Sequence, residues 1–87
     1  MNYEVIYSQN AIKELKKLDK HIRKLILAWI EKNLVNCNNP RQHGKPLVAN
    51  HSGKWRYRIG DYRIIAEIED EKIIIFIVTI GHRKNIY

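Results

Sequence analysis

Four arginines, a histidine and a tyrosine carry most of the chemistry open to this chain. Arg56, Arg58 and Arg63 fall within GKWRYRIGDYR (Gly53 to Arg63), and His82, Arg83 and Tyr87 fall within GHRKNIY (Gly81 to Tyr87). If the first stretch is a hairpin turning at Gly60-Asp61, Arg58 lies directly opposite Arg63 on one face. Like charges so placed destabilise a strand pair by some tenths of a kcal/mol to about one. A guanidinium presents a planar fork of donors suited to bidentate contact with phosphate, so clustered arginines point to an anion site. His82 and Tyr87 can each carry a proton, and Arg83 adds a cation beyond the last strand. A solvated charged face and a loose tail are the plainer readings of the same residues.

The elements that must position these side chains follow from the alternation around them. Glycine at the first central position of Gly60-Asp61 suits a two-residue type II′ turn. Counting outward pairs Ile59 with Tyr62, Arg58 with Arg63, Tyr57 with Ile64 and Arg56 with Ile65, and sets Lys54 against Glu67. One face then carries Trp55, Tyr57, Ile59, Tyr62, Ile64, Ala66 and Ile68 and is the core face. The other carries Lys54, Arg56, Arg58 and Arg63 beside Ile65 and Glu67. The following KIIIFIVTI is apolar on both faces, as expected of a central strand covered from two sides. With Glu69 opposite Lys72, the residues Ile74, Phe76 and Val78 join the arginine face, which becomes half cationic and half apolar. Small monomers rarely expose large apolar patches, so Ile65, Ile74, Phe76 and Val78 are candidate partner-binding residues.

Toward the N-terminus, NYEVIYS alternates and predicts a first strand, with Tyr3, Val5 and Tyr7 on one side. Ser8 offers a helix N-cap. Ile12, Leu15, Leu18, Ile22, Leu25, Ile26, Trp29 and Ile30 then recur at helical spacing. One helix over residues 9–34 would be about 39 Å long, against a radius of gyration of about 12 Å expected for this chain length. A break at LDKH, with Asp19 capping a second helix, resolves the conflict. Lys13, Lys16, Lys17, Lys20, Arg23 and Lys24 lie mostly off the apolar stripe and read as a solvated face. NCNNPRQHGKP is a loop, with Leu47 and Val48 tucked onto the core. The order is β-α-α-β-β-β: an α+β domain with a helical hairpin on one face of a mainly antiparallel four-stranded sheet.

Composition limits the partners. The chain has 87 residues, enough for one domain spanning 1–87. Sixteen Lys and Arg against nine Asp and Glu give a net charge of +7, a balance that favours nucleic acid, ribosome or an acidic protein. No run reaches the ~18 apolar residues of a membrane span, and MNYEVIYSQN lacks the pattern of a secretory signal, so a cytoplasmic protein is expected. The lone Cys37 sits in a polar loop and reads as an inert thiol. His21, His43, His51 and His82 show no metal-ligand spacing with one another or with Cys37. No metal and no cofactor is expected.

The GKPL before the sheet, the WRYRIGDYRII hairpin, the hydrophobic last strand and the GHRKNIY ending together resemble the RelE/ParE superfamily of toxins from type II toxin–antitoxin pairs, over essentially the whole chain. In that superfamily RelE-like members cut messenger RNA in the ribosomal decoding site, and ParE-like members inhibit DNA gyrase. The resemblance favours the RelE branch and implies a ribosome-dependent endoribonuclease. Gyrase inhibition and non-catalytic RNA binding stand as alternatives. It implies Arg56, Arg58, Arg63, Arg83 and Tyr87 as catalytic residues, with His82 in a position to share acid–base work, and Lys54 and Lys84 as RNA-binding residues. It also implies an acidic antitoxin seated on Ile65, Ile74, Phe76 and Val78.

Overall fold

Ser8 both ends the first strand and starts the first helix, its hydroxyl accepting the N–H of Ala11 at 2.9 Å. The computed structural model describes residues 2–47 and 53–85, so Val48, His51 and Tyr87 lie outside the described residues. Within them the elements are β1 (Glu4–Tyr7), α1 (Gln9–Lys17), α2 (Lys20–Asn33), β2 (Lys45–Pro46), β3 (Trp55–Ile59), β4 (Tyr62–Glu69) and β5 (Ile74–His82). The helix break falls where the length argument requires it. Leu18 turns the chain out of α1, and the Asp19 carboxylate accepts the N–H of His21 at 3.0 Å to open α2. The two helices, about 14 and 21 Å long, fit a molecule measuring 34 × 29 × 22 Å.

The described strands form one sheet in the order β1-β5-β4-β3-β2. β1 runs parallel to β5 and the other pairings are antiparallel. The sheet therefore has five strands rather than the four read from the sequence. The additional strand is β2, where Lys45 pairs with Arg56 and Pro46 with Trp55. Two residues are too few to register as alternation, and Gly44 makes the pairing possible. Its φ is +81°, and a Cβ there would collide with the carbonyl oxygen of Arg56, so only glycine lets the loop lie this close to β3.

Ala11 and Leu15 of α1, Ile26 and Ile30 of α2, and Leu34 pack against Tyr57, Ile59, Ile64, Ala66, Ile75, Ile77 and Ile80 of the sheet. Burying each large aliphatic side chain stabilises the fold by roughly 1.5–3 kcal/mol. The helical stripe is narrower than its sequence spacing indicates, because Ile12 and Leu25 are 41% and 48% exposed. Helix α1 also covers the length of β5 that β1 is too short to reach. Ser8 N–H donates to the Ile77 carbonyl at 2.9 Å, Ser8 Oγ to the Val78 carbonyl at 2.9 Å, and Ile80 N–H to Glu14 Oε1 at 2.8 Å.

The loop between α2 and β2 is held at two points. Tyr57, fully buried, donates its hydroxyl to the Pro40 carbonyl at 2.6 Å, and Trp55 Nε1 donates to the His43 carbonyl at 2.7 Å. Nearby, Arg41 grips both oxygens of Asp70 at 3.0 and 2.9 Å, while Tyr3 donates to the same carboxylate at 2.7 Å. The Arg41 and Tyr3 hydrogen bonds hold the Asp70 carboxyl below the usual carboxylate range.

One irregularity decides which face the end of β5 presents. Ala66 pairs with Ile77, but Ile65 pairs with Thr79, which makes Val78 the extra residue of a β-bulge. Side chains alternate along a strand, so one inserted residue exchanges the faces of everything beyond it. At the other end of the hairpin, Glu69 pairs with Ile74 rather than with Lys72. The turn is longer than the sequence reading placed it, and Lys72 instead donates its N–H to the Glu69 carbonyl at 3.2 Å.

Candidate active site

The β3–β4 hairpin has the register that its sequence predicts. Ile59 pairs with Tyr62, Arg58 with Arg63, Tyr57 with Ile64 and Arg56 with Ile65. Gly60 has φ +58°, and Asp61 is not among the residues with positive φ; this is the pattern of a type II′ turn, since type I′ would need positive φ at both. Alternation then sends Tyr57 and Ile59 into the core and sets Arg56, Arg58 and Arg63 on the face of the sheet away from the helices. Lys54 reaches Glu67 on that face at 3.5 Å, a surface pair that contributes little.

These cations are close enough to act on one another. Burial first, and then the charges of Arg56, Arg58 and Arg83, hold the Arg63 guanidinium below its ordinary value. Arg83 is therefore part of the cluster. Its position is set by the hairpin turn, because its N–H donates to the Asp61 carbonyl at 2.8 Å and its Nε lies 3.7 Å from Asp61 Oδ1. Asp61 thus brings a carboxylate to the edge of the cluster, where the sequence reading gives it only a turn role. Both partners are more than half exposed, so water screens the pair and an arriving phosphate competes readily with it.

The bulge at Val78 sets the placement of His82. His82 pairs with Tyr62, and Gly81 with Arg63, so His82 stands on the helix-facing side of the sheet, opposite the arginines. It packs edge-on to the Tyr62 ring at 5.3 Å, and its Nδ1 accepts the N–H of Lys84 at 3.1 Å. Uninterrupted alternation from Ile74 and Phe76 would have set His82 among the arginines and turned Arg83 away. The inserted residue reverses both.

The apolar part of the face is also smaller than expected. Ile65 is 1% exposed and offers no surface. Ile74, Phe76 and Val78 are half-buried and Lys84 is exposed. Tyr87 lies outside the described residues. Cys37 is half-buried with its thiol pushed up by burial, which suits a structural residue rather than a nucleophile.

The sequence reading missed a groove at the edge of β3. About 350 Å³ in volume, it is lined by Trp29, His43, Gly44, Lys45, Arg56 and Arg58. Trp29 had been counted as part of the apolar helix stripe, and His43 as a loop residue without a metal partner. The Trp29 ring lies 5.6 Å from Tyr57 and 5.7 Å from His43, edge-on to the latter. Only the GKP signature hinted that this loop lies against the sheet.

The described residues form a mixed sheet with helices on one face and an arginine cluster on the other, an arrangement whose charge suits a polyanion. Residues 5–87 match the family model for the ParE toxin of type II toxin–antitoxin systems. Toxin RelE3 of Methanocaldococcus jannaschii is 35% identical over 86 residues, covering 97% of this chain and 94% of that protein. The mRNA interferase toxin RelE of Escherichia coli K12 is 27% identical over 89 residues, covering 98% and 87%. The toxin–antitoxin complex RelBE2 of Mycobacterium tuberculosis contains a chain that superposes with a TM-score of 0.86 at 28% identity, covering 98% of this chain and 95% of that one. The chain belongs to the RelE/ParE family of type II toxins.

Proposed function

We propose that this toxin is a ribosome-dependent endoribonuclease that cuts messenger RNA. The observation that carries the reading is the Arg58–Arg63 pair, in register on the sheet face away from the helices, with Arg56 and Arg83 near enough to perturb Arg63. The RelE relative bearing the name mRNA interferase supports it. Cleavage proceeds by attack of a ribose 2′-oxygen on the adjacent phosphorus, leaving a 2′,3′-cyclic phosphate and a free 5′-hydroxyl. The developing phosphorane charge calls for preorganised cations, which Arg56, Arg58, Arg63 and Arg83 supply. Proton transfer falls to Tyr87, whose free pKa near 10 must be lowered by neighbouring cations for it to act as a base. Lys54 and Lys84 add contacts to the RNA backbone, and an acidic antitoxin covers the site through Ile74, Phe76 and Val78. A ribosomal target places the toxin in the cytoplasm.

Primer extension on a translated message tests this reading. New cuts within coding sequence on induction, lost when translation is blocked, are the expected outcome. Cuts that persist without translation would point to a free ribonuclease, and RNA binding without product to a non-catalytic module. A second reading, inhibition of DNA gyrase, is favoured by the ParE name of the matching family model. A supercoiling assay separates the two, and inhibition of purified gyrase without message cleavage would reverse the ranking.

A further inference from the structure

The groove at the β3 edge has features that phosphate binding alone leaves unused. In a two-residue hairpin closed by Ile59 and Tyr62, residues 55, 57 and 59 bond to β4, and the main-chain groups of Arg56 and Arg58 point outward. Strand β2 takes up those of Arg56. Beyond it, among the described residues, no strand pairs with β3, and the groove opens there between β3, the His43–Lys45 loop and α2. Its described lining carries Lys45, Arg56 and Arg58 and no acidic side chain, with two aromatic rings, Trp29 and His43, in its wall. Arg58 belongs to both places: it lines the groove and it faces Arg63 in the cluster.

We propose that this groove is a nucleotide subsite, in which the base next to the phosphate held by Arg58 and Arg63 lies against His43 and Trp29. The inference rests on the RNA-cleaving reading above and adds the path of the strand, which crosses the sheet edge at β3. The volume of about 350 Å³ lies at the small end of ligand pockets, suited to one nucleotide rather than an extended chain. Aromatic side chains hold bases by stacking with little regard to sequence, because every base has a π-face. Lys45 and Arg56 supply the charge for the flanking phosphate. Gly44 also lines the groove, and the absence of a Cβ that would strike the Arg56 carbonyl lets its loop close against β3.

Isothermal titration of the full chain with adenosine 5′-monophosphate, ribose 5-phosphate and inorganic phosphate at one salt concentration tests the assignment. Adenosine monophosphate should bind at least about tenfold more tightly than ribose 5-phosphate, within the range that one stacked base supplies. His43→Ala should remove most of that difference, while Lys45→Ala should weaken both ligands equally. Trp29→Ala would also disturb Tyr57 packing, so Trp29 is followed in the unmutated chain, where saturating adenosine monophosphate should shift its indole NMR signal and leave that of Trp55 in place. Equal affinity for the two sugar phosphates, a difference that survives His43→Ala, or an unshifted Trp29 signal would overturn the subsite. Message cleavage is scored separately on the same preparation. Cleavage without base preference removes the subsite alone, and base preference without cleavage removes the nuclease reading and retains the groove as a nucleotide site.

Discussion

Glu14, on the second turn of α1, accepts the main-chain N–H of Ile80 on β5 at 2.8 Å, across 66 residues of sequence. The same carboxylate oxygen takes the Asn10 side-chain amide at 3.1 Å. A helix side chain thus does for β5 what a neighbouring strand does elsewhere in the sheet, just beyond the bulge and just before Arg83. Glu14→Ala should lower unfolding free energy by about 1–2 kcal/mol, the usual cost of a part-buried donor left unmet. Urea denaturation measures the loss, and amide exchange at Ile80 should quicken by more than at Ile75. An unchanged exchange rate at Ile80 would contradict the bond.

Arg63→Ala should leave the fold intact, because its side chain lies on the face away from the helices, and should cut message cleavage by about 10²–10³-fold. Single-turnover cleavage by purified protein on programmed ribosomes reads the effect, with circular dichroism as the control for folding. A full rate in this variant would move the reaction away from the Arg58–Arg63 pair.

His82→Ala should reduce cleavage far less than Arg83→Ala, although the two residues are adjacent in sequence. The bulge gives them opposite faces, and only Arg83 perturbs Arg63. Single-turnover rates of the two variants check this, and a larger loss in His82→Ala would restore histidine as a proton carrier.

Acid stability should report on Asp70. Its carboxyl is held below the usual range when folded, chiefly by the Arg41 hydrogen bonds and then by Tyr3. The folded state therefore binds that proton less readily than the unfolded chain. The contribution is complete above the unfolded value near 4 and is lost as pH falls through the lower folded value. Asp70→Asn should flatten the acid limb of a melting-temperature profile between about pH 5 and pH 2 relative to the parent chain. Parallel profiles would mean that Asp70 titrates alike in both states.

Association with an acidic antitoxin should slow as salt rises, since a net charge of +7 steers an oppositely charged partner over long range. Stopped-flow rates between about 0.1 and 1 M salt, where the screening length falls from ~10 to ~3 Å, measure this. A rate independent of salt would leave only apolar contacts through Ile74, Phe76 and Val78.

The hairpin could be read residue by residue because Gly60-Asp61 fixes both ends of a two-residue turn, and from that point the faces alternate without interruption to Ile65. The helix break was legible because Asp19 caps and because a single helix is too long for the molecule. The bulge and the groove had no local signature. Nothing in IIIFIVTIGH marks Val78 as a bulge, since every residue in the run suits a strand. The inserted residue becomes evident only through its partners on β4 and through the α1 side chains that take up the freed groups. That one residue decides that Arg83, and not His82, shares the face of Arg63. The groove stayed hidden for a related reason: its walls come from α2, a glycine loop and β3, which no spacing rule connects.

The two-residue length of β2 has a consequence for the toxin when no partner is bound. An uncovered strand edge offers its donors and acceptors to any other chain, including a second copy, and is a common starting point for aggregation. Here, among the described residues, no strand pairs with β3 beyond β2, and Arg58 sits on that edge. Two copies approaching edge to edge would bring Arg56 and Arg58 of one against the same pair of the other, a repulsion that grows as the edges align. The charges that weaken the hairpin from within thus act as a guard on the outside, favouring a dispersed monomer over a stack.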